Sequence, residues 1–284
     1  MKKILFLLML SLSLILVGCS SGSDSEESNN TITIGYNNFA ETIAEVNVWK
    51  LILEKEGYDV ELKQTEKGPL FTALAGGEVD VNVEVWLPHT DKDYVEEYEE
   101  DIVQHDAWYE DTTMGIAVPE YVDIDSIDEL NEYTEELDEQ IIGIEPGASI
   151  MKTTENALEE YKLDLDLVES SDAAMSAELE DYYQNEEPVA VTLWEPHWIF
   201  AENDMKFLED PKNVYGEPDK MYWYSRQGFE EDFPEVTKWF DQWEMSHDEL
   251  SDLMNVLKDY DRDPEKGAQE WLDDNQDLVE EWIH

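Results

Sequence analysis

From Thr31 to Tyr36 the chain alternates apolar and polar positions, then meets the turn signal Asn37-Asn38. The period then changes: Ile43, Val46, Trp49, Ile52 and Leu53 recur at helical spacing between Ala40 and Glu56. This predicts a strand, a turn and a helix, with Gly57 closing the helix. Asp59 to Leu62 reads as a second strand, Pro69 to Ala75 as a second helix and Val79 to Trp86 as a third strand. A β-α-β-α-β order predicts a mostly parallel sheet covered by helices.

The rhythm then restarts. Ile141 to Ile144, Leu165 to Val168 and Val189 to Trp194 read as strands, separated by helices over Ser149 to Tyr161 and Ala173 to Tyr183, with a break at Glu145-Pro146-Gly147. The sequence itself does not repeat; the element order does, which predicts two similar α/β lobes. Met114 to Val118 and Met221 to Ser225 are apolar, extended and placed to cross between them. From Phe229 onward the pattern is helical, with stripes that include Trp239, Phe240, Trp243, Leu250, Leu253, Met254 and Leu257, and this tail is expected to pack on the first lobe. The expected division is a leader over 1–18, a tether over 19–30, a first lobe from 31–118 with 219–284, and a second lobe from 119–218.

The leader rests on Lys2 and Lys3 followed by an apolar run from Ile4 to Val17, too short to span a bilayer. It predicts export, to an extracytoplasmic location. Leu16-Val17-Gly18-Cys19 resembles the lipobox of bacterial lipoproteins, which implies lipidation of Cys19 and a membrane anchor; ordinary cleavage leaving a free thiol is the alternative. Cys19 is the only cysteine, which excludes an intrachain disulfide. Ser20 to Asn30 is too polar to bury a core.

Charge changes the picture next. Asp and Glu outnumber Lys and Arg by 72 to 17, for a formal charge of −55. The acids are spread along most of the chain, which points to a solvated surface adapted to concentrated salt. At 1 M salt the Debye length is about 3 Å, so long-range steering by this charge is nearly abolished. Nucleic acid is excluded as a partner, because phosphate-binding surfaces need basic clusters. Histidines 89, 105, 197, 247 and 284 show no metal-ligand spacing, and no Gly-rich phosphate loop or nucleophile elbow is present. No metal or cofactor is expected, and no enzymatic activity.

Of the ten tryptophans, Trp86 and Trp194 end apolar strands just ahead of Pro88 and Pro196. Such strands offer a flat π face to a ligand. A methylated cation suits that face, since dispersion and the ring quadrupole replace the N–H hydrogen bonds it cannot make. Strand ends and helix starts of a two-lobed α/β protein face the cleft. Asn38-Phe39, Trp86, the turn from Pro146 to Ile150 and Trp194 all fall there. The Pro-Gly turn opening a helix leaves unpaired N–H groups and a positive dipole end, which favour an anion. Trp49, Trp239, Trp243, Trp271 and Trp282 lie in helical patterns and read as packing residues.

The motifs WLPHTD (Trp86 to Asp91), GIEPGASIM (Gly143 to Met151), ESSDAAMSAEL (Glu169 to Leu179) and TLWEPHW (ending at Trp198) make the chain resemble the glycine betaine binding proteins of ABC importers, over nearly all of 31–257. The resemblance implies a bilobed periplasmic-binding-protein fold of the second type that closes by a hinge and, as a monomer, hands ligand to a permease and its ATPase. It implies an aromatic cage from Trp86, Trp194 and Phe39, the last where the family usually has Trp. It also implies ligand-carboxylate binding by the backbone N–H groups of Ser149 and Ile150. The family closes its W-L-P motif with a histidine, and this chain has Asp91. Either His89 takes the carboxylate, or Asp91 turns away, or the ligand is not a betaine, which makes choline, with a hydroxyl and no carboxylate, an alternative. A choline- or carnitine-binding protein of the same fold is the alternative function. Trp198 and His197 are expected to support the cage. The rival readings are a carbohydrate-active surface protein with Trp platforms and a sensor with the same binding fold.

Overall fold

The computed structural model describes residues 30–260 and 262–284. The expected leader, Cys19 and all of the tether but Asn30 lie outside the described residues. The first lobe is built from β1 (Thr31–Tyr36), α1 (Ala40–Lys55), β2 (Asp59–Gln64), α2 (Lys67–Ala75), β3 (Val81–Leu87) and α3 (Lys92–Tyr98). A long strand, β4 (Ile102–Pro119), leads to the second lobe: β5 (Gln140–Ile142), α4 (Ser149–Tyr161), β6 (Asp166–Val168), α5 (Asp172–Gln184), β7 (Val191–Glu195), α6 (Ile199–Glu202) and β8 (Met205–Phe207). The chain then returns through β9 (Asp219–Arg226) to α7 (Phe229–Asp232), α8 (Pro234–Gln242), α9 (His247–Lys258), α10 (Pro264–Asp274) and α11 (Gln276–Ile283).

The strands form one curled sheet in the order β2-β1-β3-β9-β4-β7-β5-β6, with β8 on β4. Each end is a parallel triplet, β2-β1-β3 and β6-β5-β7, so the repeated element order does produce two similar lobes. The linking strands β9 and β4 run antiparallel to their neighbours, which makes the sheet mixed. Strand β4 is the outward crossing: it pairs with β9 as far as Thr112 and with β7 from Thr113. Met221 to Ser225 is not a crossing, contrary to the expectation from its apolar, extended pattern. It is apolar because β9 is an inner strand of the first lobe, flanked by β3 and β4. The return is made by residues 208–218.

The helical tail packs on the first lobe as its stripes require, α9 and α10 against α1 and α8 against β4. Of the tryptophans read as packing residues, Trp49, Trp243, Trp271 and Trp282 are buried in its core, and Trp239 packs half-buried against it. Trp49 lies 4.1 Å from Phe240, and Trp108 stacks on Trp243 at 3.8 Å between ring centroids. Helix α9 starts at a reciprocal cap between Ser246 and Glu249. Gly35 lets α2 approach β1, since a Cβ there would come within 2.3 Å of Leu70 Cδ1. That close approach fixes the start of α2, where Lys67 stands.

Candidate functional site

Between the lobes lies a cleft whose walls include Phe39, Trp86 and Trp194. The three rings predicted from sequence therefore meet at one place, each at most 9% exposed. Phe39 precedes α1, Trp86 is the penultimate residue of β3 and Trp194 lies in β7, so two rings come from one lobe and one from the other. Phe39 meets Trp194 edge-on at 5.7 Å and 63°. Met114, Ile144, Ala148 and Ile150 complete the apolar lining.

Trp194 is held from several sides. Its indole N–H donates to Glu41 Oε1 at 3.0 Å across the cleft, and the His197 ring packs against it at 4.9 Å and 86°. His197 Nδ1 accepts the Ile199 N–H, which leaves its Nε2–H to donate to Asp172 Oδ1 at 3.1 Å. Asp172 Oδ2 accepts the Ala40 N–H at 3.0 Å from the opposite lobe. His197 therefore packs directly against the Trp194 ring, while Trp198 lies behind His197 and under the ammonium of Lys258. Ser149 Oγ to Asp91, Tyr94 to Gly147 and Lys152 to Asp93 also span the cleft, so the lobes are closed.

Ser149 and Ile150 open α4 and line the cleft. Their N–H groups precede the helical ladder, and the positive end of the helix dipole faces inward. Gly147 makes the turn at φ 116°, a conformation that disfavours side chains.

His89 does not reach the cleft. It is exposed, its N–H is bound to Asp219 Oδ1 at 2.8 Å, and its ring rests near Gly216, so it is misplaced as a carboxylate ligand. Asp91 does not turn away either. It is fully buried, and its Oδ2 accepts the Trp86 N–H at 2.9 Å and pairs with Lys67 Nζ at 2.9 Å. Its Oδ1 accepts the Ser149 hydroxyl at 2.8 Å. Asp91 thus braces the indole strand and the helix start, and Lys67 balances its charge.

Lys67, Glu41 and Glu84 line the cleft and were missed by the sequence reading. Lys67 Nζ also binds Glu84 Oε2 at 2.8 Å, and these two charges favour its protonated form against burial, leaving its pKa raised. Burial pushes Glu84 up to about 7 despite Lys67. Glu41 is held well above the carboxylate range by burial and by the charges of Glu84 and Asp172, and Glu45 by burial and by Glu41 and Glu84. A signal for two of them existed. Glu84 shares the strand face of Trp86, two residues on, and Glu41 lies one turn before Glu45 on a buried helix. Among the described residues, no group of three or more His, Cys, Asp or Glu forms a metal-holding cluster.

A two-lobed α/β protein with an aromatic-lined cleft between its lobes has the architecture of a solute-binding protein. The chain matches, over residues 30–274, the family described as the substrate binding domain of an ABC-type glycine betaine transport system, and it belongs to that family. It is 39% identical over 151 residues to the glycine betaine/carnitine transport binding protein GbuC of Listeria monocytogenes. That match spans 52% of this chain and 50% of the relative. Its fold is similar to the glycine betaine, L-proline-binding protein ProX of Borrelia burgdorferi, with TM-score 0.85 and 34% identity over 89% of this chain and 97% of the other. It is also similar to lactococcal OpuAC in its closed form with glycine betaine, with TM-score 0.84 and 28% identity over 89% and 99% of the two chains. These likenesses lend no support to the carbohydrate-active reading.

Proposed function

We propose that this protein captures glycine betaine, or a closely related quaternary ammonium osmolyte, and delivers it to an ABC permease. The observation that carries the reading is the convergence of Phe39, Trp86 and Trp194 on the cleft that also receives the start of α4. The rings hold the methylated cation, and the Ser149 and Ile150 N–H groups take the carboxylate, with Lys67 as a further positive charge nearby. Each ring contributes about 0.5–2 kcal/mol, depending on desolvation. With the carboxylate contacts and after the cost of ordering, this supports micromolar affinity, about −8 kcal/mol. Closure of the lobes then signals occupancy to the permease. The role is capture without catalysis, by a monomer outside the cytoplasm and anchored through a lipidated Cys19.

One observation favours choline as a second reading: Glu41, Glu84 and Asp91 make the polar wall acidic, which suits a cation without a carboxylate. Calorimetric titration in high salt with glycine betaine, choline, carnitine and proline tests both. Saturable binding of betaine supports the first reading, and preference for choline the second. Binding of proline alone would refute the cage.

A further inference from the structure

Four carboxyl groups of the first lobe gather behind the cage: Glu41 and Glu45 one turn apart on α1, Glu84 on β3, and Asp91 just beyond it. All are at most 2% exposed. The ammonium among them, Lys67 from α2, already bridges Glu84 and Asp91. From the second lobe they face Asp172, itself engaged with His197 and the Ala40 N–H. Glu41 differs from the others in position. It lines the cleft two residues beyond Phe39, and its Oε1 holds the Trp194 indole. Its Oε2 is buried without a hydrogen-bond partner.

So many ionised acids cannot share a buried site with one cation, because each uncompensated buried charge costs several kcal/mol. The acids without a cation must therefore stay neutral. The carboxyls of Glu41 and Glu45 are held well above the usual range, Glu41 by burial and by the charges of Glu84 and Asp172, Glu45 by burial and by the charges of Glu41 and Glu84. Glu45 does not line the cleft, and Glu84 has Lys67; only Glu41 both lacks a cation and faces the ligand.

We propose that Glu41 is the fourth wall of the cage and that a quaternary ammonium ligand displaces its proton. In the free protein Glu41 is a carboxylic acid. When the cation enters beside Phe39 and Trp194, the O–H bond breaks, the proton passes to buffer, and the carboxylate left behind faces the methyl groups. The ligand's positive charge thereby finds a compensating charge inside the cleft, even where salt screens the field of the chain's acidic surface. The inference rests on the quaternary ammonium reading. Because the free protein binds more protons than the complex, affinity rises with pH and levels off once Glu41 ionises unaided.

Calorimetry at fixed pH 7 in phosphate and in Tris, whose ionisation enthalpies differ, reads the protons released. Release of up to about one proton per ligand bound is expected for glycine betaine and for choline, with affinity rising by up to about tenfold per pH unit. Glu41→Gln keeps an acceptor for Trp194, so it should fold, which thermal unfolding checks; it should abolish the release and flatten the pH profile. Binding with heats independent of buffer overturns the proposal. So does release that persists in Glu41→Gln, or that is lost only in Glu84→Gln. If neither ligand binds at all, the quaternary ammonium reading itself fails and takes this one with it.

Discussion

Replacing Lys67 with methionine removes the cation from the polar wall while keeping the length of the side chain. Lys67 is 4% exposed in its side chain, and its partners Glu84 and Asp91 are 3% and 0% exposed. Its ammonium makes contacts of 2.8 Å to Glu84 Oε2, 2.9 Å to Asp91 Oδ2 and 3.2 Å to the Glu84 carbonyl. Breaking a buried pair in this way leaves uncompensated charge and costs about 3–5 kcal/mol. For a domain of this size that corresponds to a fall in Tm of about 6–20 °C. The cost has a sign in pH. Glu84 is pushed up to about 7 even with Lys67 present, and without it burial raises the group further. A carboxyl raised in the folded state is protonated there more than in the unfolded chain, so stability falls as pH rises from the unfolded value, about 4.3, through the folded one. The variant should therefore lie closer to the parent at pH 5 than at pH 8. Urea denaturation in concentrated salt at the two pH values measures it, and Lys67→Met with Glu84→Gln should recover part of the loss. A cost below about 1 kcal/mol at pH 8, or one independent of pH, refutes the reasoning.

Trp86→Ala and Trp194→Ala should each weaken binding about tenfold or more, from the loss of one desolvated ring; unchanged calorimetric affinity in either would remove that ring from the site. Gly147→Ala places a side chain at φ 116° and should disturb the turn that aims the α4 amides. It should cut affinity for glycine betaine more than for choline, and equal losses in parallel titrations would mean that the amides do not hold the carboxylate. Asp172→Ala breaks the bonds to His197 and to the Ala40 N–H across the cleft. It should speed ligand dissociation in stopped-flow fluorescence with little change in association, and an unaltered dissociation rate would show that this contact does not hold the lobes closed.

The lobes were legible in sequence because their helices and strands carry clear apolar periods and their turns carry Asn, Pro and Gly. Ser149 to Tyr161 was predicted as a helix over the span it occupies. The return crossing was misplaced because an inner strand of a sheet is as apolar and extended as a crossing segment. Trp86, Trp194 and Phe39 were found because each falls at a strand end or helix start, where topology alone brings residues to the cleft. His89 was misjudged for want of one fact: the loop carrying it is tied to Asp219, 130 residues later, with two N–H bonds that turn its ring outward. Lys67 could not be found by periodicity, since its partners come from another element and their meeting depends on how closely α2 sits on β1.

The separation between surface and site charge has a consequence for selectivity. With a net charge of −55, any cation is drawn toward the protein in dilute solution, methylated or not. At 1 M salt that attraction is confined to about 3 Å, so the surface no longer contributes much to affinity. The buried groups are shielded from the same screening by the rings and the closed lobes. Discrimination is then left to the cleft, where a primary amine must abandon hydrogen bonds to water that three aromatic rings replace poorly, while a quaternary ammonium abandons none. Under the proposed function, an acidic surface and an ammonium site with its own buried acids have separate roles in one chain: the first keeps the protein solvated and the second discriminates among ligands.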